Sequence, residues 1–169
     1  MNILLGSEGL VGYWLLKKGF FLATAESCTG GLIGHLVTNV AGSSEYFLGG
    51  VVAYSNEAKE HILSVRRATL DLHGAVSRET ALEMAQGVRN VFAGDVPVEN
   101  VIGLSVTGIA GPGGEMPGKP VGLVWVGLSS ATGDYAWSNI WQGDREENKD
   151  KSACRALELL LAFLKNDNR

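Results

Sequence analysis

The stretch Gly19-Phe20-Phe21-Leu22-Ala23-Thr24-Ala25-Glu26-Ser27-Cys28-Thr29-Gly30-Gly31-Leu32-Ile33-Gly34-His35-Leu36-Val37 decides the fold. Residues 19–25 form an apolar run of strand length. From Leu32 onward the apolar residues recur at helical spacing, which predicts a helix from about Thr29 to Asn39. Ser27 therefore falls where a strand gives way to a helix. Such a turn lifts a hydroxyl above the sheet edge and points unpaired helix N–H groups at an anion. Gly30 and Gly31 let backbone approach a ligand closely, because glycine has no Cβ. A plain capping role for Ser27 or Thr29 accounts for the same pattern, so the chemistry has to be argued from other segments.

Upstream, Leu4, Leu5, Leu10, Val11, Trp14, Leu15 and Leu16 predict a helix over residues 1–18, ended by Lys17-Lys18-Gly19. Downstream, Tyr46 to Tyr54 reads as a strand interrupted by Gly49-Gly50. Ser55-Asn56 then caps a helix over Glu57–Val65. Residues 66–77 read as irregular. Ser77 opens a further helix with Ala81, Met84, Ala85, Val88, Val91 and Phe92 inward, stopped by Gly94-Asp95. Val101 to Thr107 is a buried strand followed by a glycine-rich loop to Pro120. Val121 to Leu128 and Asp134 to Trp141 read as an antiparallel pair, and Arg145 to Leu164 as a long closing helix. Strands alternating with helices, then two adjacent strands, predict an α/β fold with a mixed sheet covered on both faces. No repeat or composition break divides the chain, so a single domain over residues 1–169 is expected.

Apolar residues make up 46% and charged residues 19% of the 169, enough for a core and too little charge for a disordered chain. The net charge of −4 argues against general attraction to nucleic acid or anionic membrane. No run approaches the roughly 18 apolar residues of a membrane span, and no basic-then-apolar leader opens the sequence. Cys28 and Cys154 form no CxxC pair and read as free thiols of a reducing compartment. A cytoplasmic protein is expected. The 23 glycines cluster at Gly30-Gly31, at Gly49-Gly50 and between Gly108 and Gly118, as in a chain that makes room for a ligand.

Four groupings bear on chemistry. Ser27 needs a base to become a nucleophile, and none of His35, His61 or His73 sits in a recognisable triad. Lys59, near the start of the helix after the Tyr54 strand, becomes a base if burial lowers its pKa, with Tyr54 relaying a proton or holding the amine. A solvated Lys59 and a half-buried Tyr54 explain the spacing equally. Thr107-Gly108-Ile109-Ala110-Gly111-Pro112-Gly113-Gly114 is a strand-end loop suited to an anion nest, though neither a Walker loop nor GxGxxG. Arg145, at the start of the last helix, suits a phosphate or an ordinary surface position. Cys28, at a helix N-terminus that lowers thiol pKa values, is a rival nucleophile. No metal-ligand spacing is present.

Ala25-Glu26-Ser27-Cys28-Thr29-Gly30-Gly31, Gly42-Ser43-Ser44, Tyr46-Phe47, Gly49-Gly50, Tyr54-Ser55-Asn56 with Lys59, His73 to Ser77, Thr107 to Gly114, Lys119 to Gly122 and Gly143-Asp144-Arg145 follow one another in a familiar order. Through them nearly the whole chain resembles the CinA C-terminal domain family, whose stand-alone members include nicotinamide mononucleotide amidohydrolases. The resemblance implies a three-layer α/β/α sandwich with a mixed, mostly parallel sheet, in a short single-domain form. It implies deamidation of nicotinamide mononucleotide to nicotinic acid mononucleotide and ammonia, a step of pyridine nucleotide recycling, with neither metal nor organic cofactor. Ser27 would be the nucleophile, Lys59 the general base and Tyr54 an assisting hydroxyl. Backbone N–H groups of Thr29, Gly30 and Gly31 would form the oxyanion hole. Thr107, Gly108, Ala110, Gly111 and Arg145 would hold the nucleotide, chiefly its phosphate, with Phe47 near the pyridine ring. The expected partners are the small nucleotide substrate and, as in relatives, further copies of the chain, with neither nucleic acid nor membrane.

One departure concerns phosphate affinity. Where the family often carries a second arginine a helical turn beyond Arg145, this chain has Lys149, which keeps the charge without the bidentate fork, beside acidic Glu146 and Glu147. Two other readings stay open at this point. One is a non-catalytic nucleotide-binding or interaction module linked to competence or DNA-damage responses; the other is an amidase using Cys28.

Overall fold

In a computed structural model the described residues are 6–94 and 96–167. Leu4, Leu5 and Asp95 lie outside them. The elements are α1 (Ser7–Lys18), β1 (Phe21–Glu26), α2 (Leu32–Thr38), β2 (Phe47–Val52), α3 (Asn56–Leu63), α4 (Arg67–His73), α5 (Arg78–Val91), β3 (Val101–Gly108), β4 (Leu123–Ser130), β5 (Gly133–Ile140) and α6 (Arg145–Asn166). They form one five-stranded sheet in the order β2-β1-β3-β4-β5. The pairs β1–β2 and β1–β3 are parallel, whereas β3–β4 and β4–β5 are antiparallel. Only β4 runs against the other four, so the sheet is mixed with mostly parallel strand directions. Helices cover both faces, giving the three-layer α/β sandwich that the sequence predicts.

The period-two alternation of strands assigns the two faces. Leu22 of β1 and Ile102, Leu104 and Val106 of β3 pack in the core shared with α1, α2 and α6. Each such side chain contributes roughly 1.5–3 kcal/mol through burial. Ala23 and Ala25 face the other core, with Leu63 of α3, Leu70 of α4 and Met84 and Val88 of α5. That second layer sits close to the sheet because the strands are small there. A Cβ on Gly103 would come within 2.0 Å of the Ala85 carbonyl oxygen of α5, and Ser105 Oγ donates to the Ala81 carbonyl at 2.6 Å.

Two segments differ from expectation. The helix α4 occupies residues read as irregular. It is seven residues long, no side chain caps it, and only Thr69 and Leu70 are buried, so it offers little apolar period to read. The helix α2 begins at Leu32 rather than near Thr29. Gly30 and Gly31 take positive φ values of 66° and 100°, a left-handed conformation that an α-helix does not tolerate. The segment between Glu26 and Leu32 is consequently a turn.

Candidate active site

The alternation along β1 also settles which way the turn faces. Ala23 and Ala25 point toward the α3–α5 layer, and Ser27 continues that series beyond the strand end. Its N–H donates to the Val106 carbonyl of β3 at 2.9 Å, which fixes the backbone. The opposite partner comes from α3. Ser55 caps that helix by accepting from the Ala58 N–H, and the first turn aims Lys59 back at the end of β1. Lys59 is 1% exposed. Its Nζ lies 3.0 Å from Ser27 Oγ, 2.8 Å from the Ala53 carbonyl and 3.2 Å from the Tyr54 carbonyl.

Burial pushes the Lys59 ammonium down from 10.5 to about 8. Three acceptors satisfy the charged form. The neutral amine donates to the two carbonyls and turns its lone pair to the Ser27 hydroxyl, the arrangement a general base requires. Cys28 behaves in the opposite way to that expected of a thiol at a helix end. It is 6% exposed, and burial, the largest influence, pushes its thiol up to about 12. The thiolate that a cysteine amidase needs is therefore disfavoured.

Ser27, Cys28, Tyr54, Lys59, Thr107, Gly108, Ala110, Gly111 and Arg145 line one cavity of about 280 Å³, closed further by Ala75, Val76 and Met116. That volume lies near the lower end for small-ligand pockets. Thr107 Oγ1 donates to the Ala75 carbonyl at 2.8 Å and so holds the 74–77 segment against the cavity. Arg145 donates to the Gly111 carbonyl at 2.6 Å and to the Tyr54 hydroxyl at 3.0 Å. Tyr54 is 61% exposed and acts on Lys59 through its carbonyl, not its hydroxyl. The expected relay has no direct contact with Lys59: the phenol accepts from Arg145 at the mouth instead. A larger groove of about 630 Å³ lies between β5 and α6, lined by Tyr135, Trp137, Leu159 and Phe163 among others. Its lining holds no serine, cysteine, lysine or histidine.

Four expected site residues are not brought to the cavity: Thr29, Gly30, Gly31 and Phe47. The Gly30 N–H donates to the Ser27 carbonyl at 3.1 Å, and the Gly31 N–H donates to Glu26 at 2.9 Å. Thr29 is buried and its hydroxyl donates to Glu26. Phe47, with Gly31, lines a separate cavity on the opposite side of β1 and β2. The oxyanion role expected of the Gly30 and Gly31 N–H groups is thus corrected, because both already have acceptors.

A family model described as the CinA C-terminal domain matches residues 7–164. The chain belongs to the CinA C-terminal domain family. It is 48% identical over 157 residues to a putative competence-damage inducible protein of Caldanaerobacter subterraneus subsp. tengcongensis, covering 93% of this chain and 37% of that protein. A CinA-like protein of Salinibacter ruber is 47% identical over 151 residues, covering 89% and 35%. The chain thus spans little more than a third of the length of these curated relatives. The crystal structure of competence damage-inducible protein A from Klebsiella pneumoniae subsp. pneumoniae superposes with a TM-score of 0.87 at 32% identity, covering 96% and 99% of the two chains. That of CihA from Agrobacterium tumefaciens gives 0.81 at 38% identity, covering 98% and 100%.

Two residues of this CinA domain brace the segments around the site without having been singled out from sequence. Asn148, one turn into α6, is buried, and its Nδ2 donates to the Ala110 and Gly143 carbonyls, both at 3.0 Å. It anchors the glycine loop, whereas Lys149 does not line the cavity. Glu147 is occupied in a capping box with Asp144, which removes it from any phosphate. The other is Glu26, whose carboxylate takes up the Thr29 hydroxyl and the first N–H groups of α2. Among the described residues no group of side chains suited to a metal ion occurs, and no helix is long and apolar enough to cross a membrane.

Proposed function

We propose that this domain hydrolyses the carboxamide of nicotinamide mononucleotide, with Ser27 as nucleophile and Lys59 as general base. The observation that carries the reading is the buried 3.0 Å contact between Lys59 Nζ and Ser27 Oγ, with the amine pushed down to about 8. A module that only binds a nucleotide has no need of a desolvated amine against a hydroxyl. The raised Cys28 thiol weighs against the cysteine amidase.

Lys59 takes the Ser27 proton as Oγ attacks the carboxamide carbon. The tetrahedral oxyanion that forms calls for N–H donors at the cavity wall. Collapse breaks the C–N bond, and the Lys59 ammonium returns the proton to the departing nitrogen, which leaves as ammonia. Water, deprotonated by the now neutral Lys59, attacks the ester. Breaking the C–Oγ bond releases nicotinic acid mononucleotide, and Ser27 recovers its proton. Arg145 and the Gly108–Gly114 backbone receive the phosphate, and Arg145 is held ready by the Tyr54 hydroxyl. The chemistry calls for no metal or organic cofactor.

The test is to incubate the purified protein with nicotinamide mononucleotide and follow ammonia and nicotinic acid mononucleotide. Ser27→Ala and Lys59→Ala are run alongside. Release by the wild type, lost in both variants, supports the reading. No release, with nucleotide binding retained, sinks it and favours the binding module.

A further inference from the structure

We propose that Glu26 is the positioning residue of the nucleophile, an anion built into the chain that holds the Ser27 turn in its reactive form; this rests on Ser27 being the nucleophile. Glu26 is 2% exposed, and no lysine, arginine or histidine of the described residues pairs with it. Its charge is met by four donors. Oε2 accepts from Thr29 Oγ1 at 2.7 Å, Gly31 N at 2.9 Å and Ile33 N at 3.1 Å. Oε1 accepts from Gly34 N at 2.8 Å. The turn after Ser27 and the start of α2 are thus tied back to the end of β1 by one side chain.

The socket suits a carboxylate specifically. All four partners are donors, so an acceptor-only group fits, whereas an amide or a protonated acid sets a donor against a donor. The helix dipole adds to the preference for negative charge. The main chain of the same residue reaches the base. The Glu26 carbonyl accepts from the Ala53 N–H at 2.9 Å, and the Ala53 carbonyl accepts from Lys59 Nζ at 2.8 Å. Side chain and backbone of Glu26 together set the distance between Ser27 and Lys59. Yet Glu26 does not line the substrate cavity. It lines the separate cavity of about 200 Å³ on the opposite side, with Thr24, Thr38, Phe47 and Gly50. It acts through Ser27 and never touches substrate.

This predicts a lesion in turnover without one in binding, and a repair by free carboxylate. Truncation in Glu26→Ala opens space continuous with the second cavity, through which formate reaches the four donors. Glu26→Gln keeps the volume and removes the charge. Both variants and the wild type are treated with a fluorophosphonate. Ser27 Oγ bonds to phosphorus, fluoride leaves and the hydroxyl proton passes to Lys59. Labelling is read by mass spectrometry on the Ser27 peptide and normalised to folded protein by circular dichroism. Turnover of nicotinamide mononucleotide is measured in parallel.

The expected result is a loss of about 10- to 100-fold in labelling rate and kcat, the scale of a nucleophile misplaced by an ångström, with KM unchanged. Formate restores Glu26→Ala but not Glu26→Gln, and neutral formamide restores neither. Labelling equal to wild type in both variants overturns the proposal and leaves the serine reading intact. A loss expressed in KM, or rescue by formamide, overturns it as well. If neither variant folds, the carboxylate is architectural and the proposal falls. Failure of the wild type to be labelled sinks the serine nucleophile itself and this inference with it.

Discussion

Replacing Lys59 by methionine tests the buried base without any substrate. In the folded chain the ammonium is pushed down from 10.5 to about 8; in the unfolded chain it returns to its ordinary value. Between those two values the unfolded state binds more protons, so wild-type stability rises with pH there. Below about 8 the lysine is charged in both states and its full desolvation cost is present. A shift of this size corresponds to about 3 kcal/mol. Methionine keeps most of the volume and has no such cost, but leaves the Ala53 and Tyr54 carbonyls without their donor, a loss on the order of 1–3 kcal/mol each. That loss is the same at all pH values. Hence the absolute stability difference is a balance of similar quantities, while its pH dependence is not. Relative to the wild type, the methionine variant loses about 2 kcal/mol between pH 7 and pH 9.5. Urea unfolding of both proteins at the two pH values measures it, and all other titrating groups cancel in the difference. A stability difference that stays flat with pH would refute the reasoning, since it would mean that the folded chain does not desolvate the ammonium.

On the proposed function, the same titration governs catalysis in the opposite sense to an acid-requiring enzyme. With a pKa of about 8, about a tenth of Lys59 is neutral at pH 7, so kcat should climb roughly tenfold by pH 9 and then level off, as a pH–rate profile would reveal. Arg145→Ala should raise KM for the nucleotide about 10- to 100-fold, the value of one charge-assisted contact, with kcat little changed; steady-state kinetics decide. Gly31→Ala forces a side chain into a φ of 100° and should cost about 1–2 kcal/mol in urea unfolding.

Most of the fold was legible because it obeys short-range rules. The strand-length apolar runs, the Ser55 and Ser77 caps and the Arg145 helix start all appear where local patterns put them. Residues 67–73 escaped because α4 buries too little to write a period into its sequence. The start of α2 is hidden for another reason: Leu32 to Val37 carries the helical signal, and only the backbone angles of Gly30 and Gly31 show that the preceding residues turn instead. The family motifs pointed to Ser27, Lys59, the Thr107 loop and Arg145. They did not distinguish the Tyr54 hydroxyl from the Tyr54 carbonyl. That distinction depends on where β2 ends and on Lys59 reaching back over it.

Glu26 shows why spacing alone was insufficient. A helix start with free N–H groups and a neighbouring serine reads as an anion site, and the sequence indeed holds an anion for it, one residue before that serine. Successive residues of a strand point to opposite faces. Carboxylate and hydroxyl, adjacent in sequence, are therefore delivered to different sides of the sheet: Glu26 toward α2, Ser27 toward α3. On the proposed function, the nucleotide's phosphate is met on the Ser27 side, by the glycine loop and Arg145, because the α2 N-terminus is already occupied by the chain itself. On that division, adding inorganic phosphate should compete with nucleotide at the Arg145 end and leave the Glu26 socket unaffected. In a titration followed by amide chemical shifts, the Gly111, Gly113 and Gly114 signals should move while those of Gly31, Ile33 and Gly34 stay in place. Movement of the second group would show that the socket admits an outside anion, and the separation of roles between the two faces of β1 would be wrong.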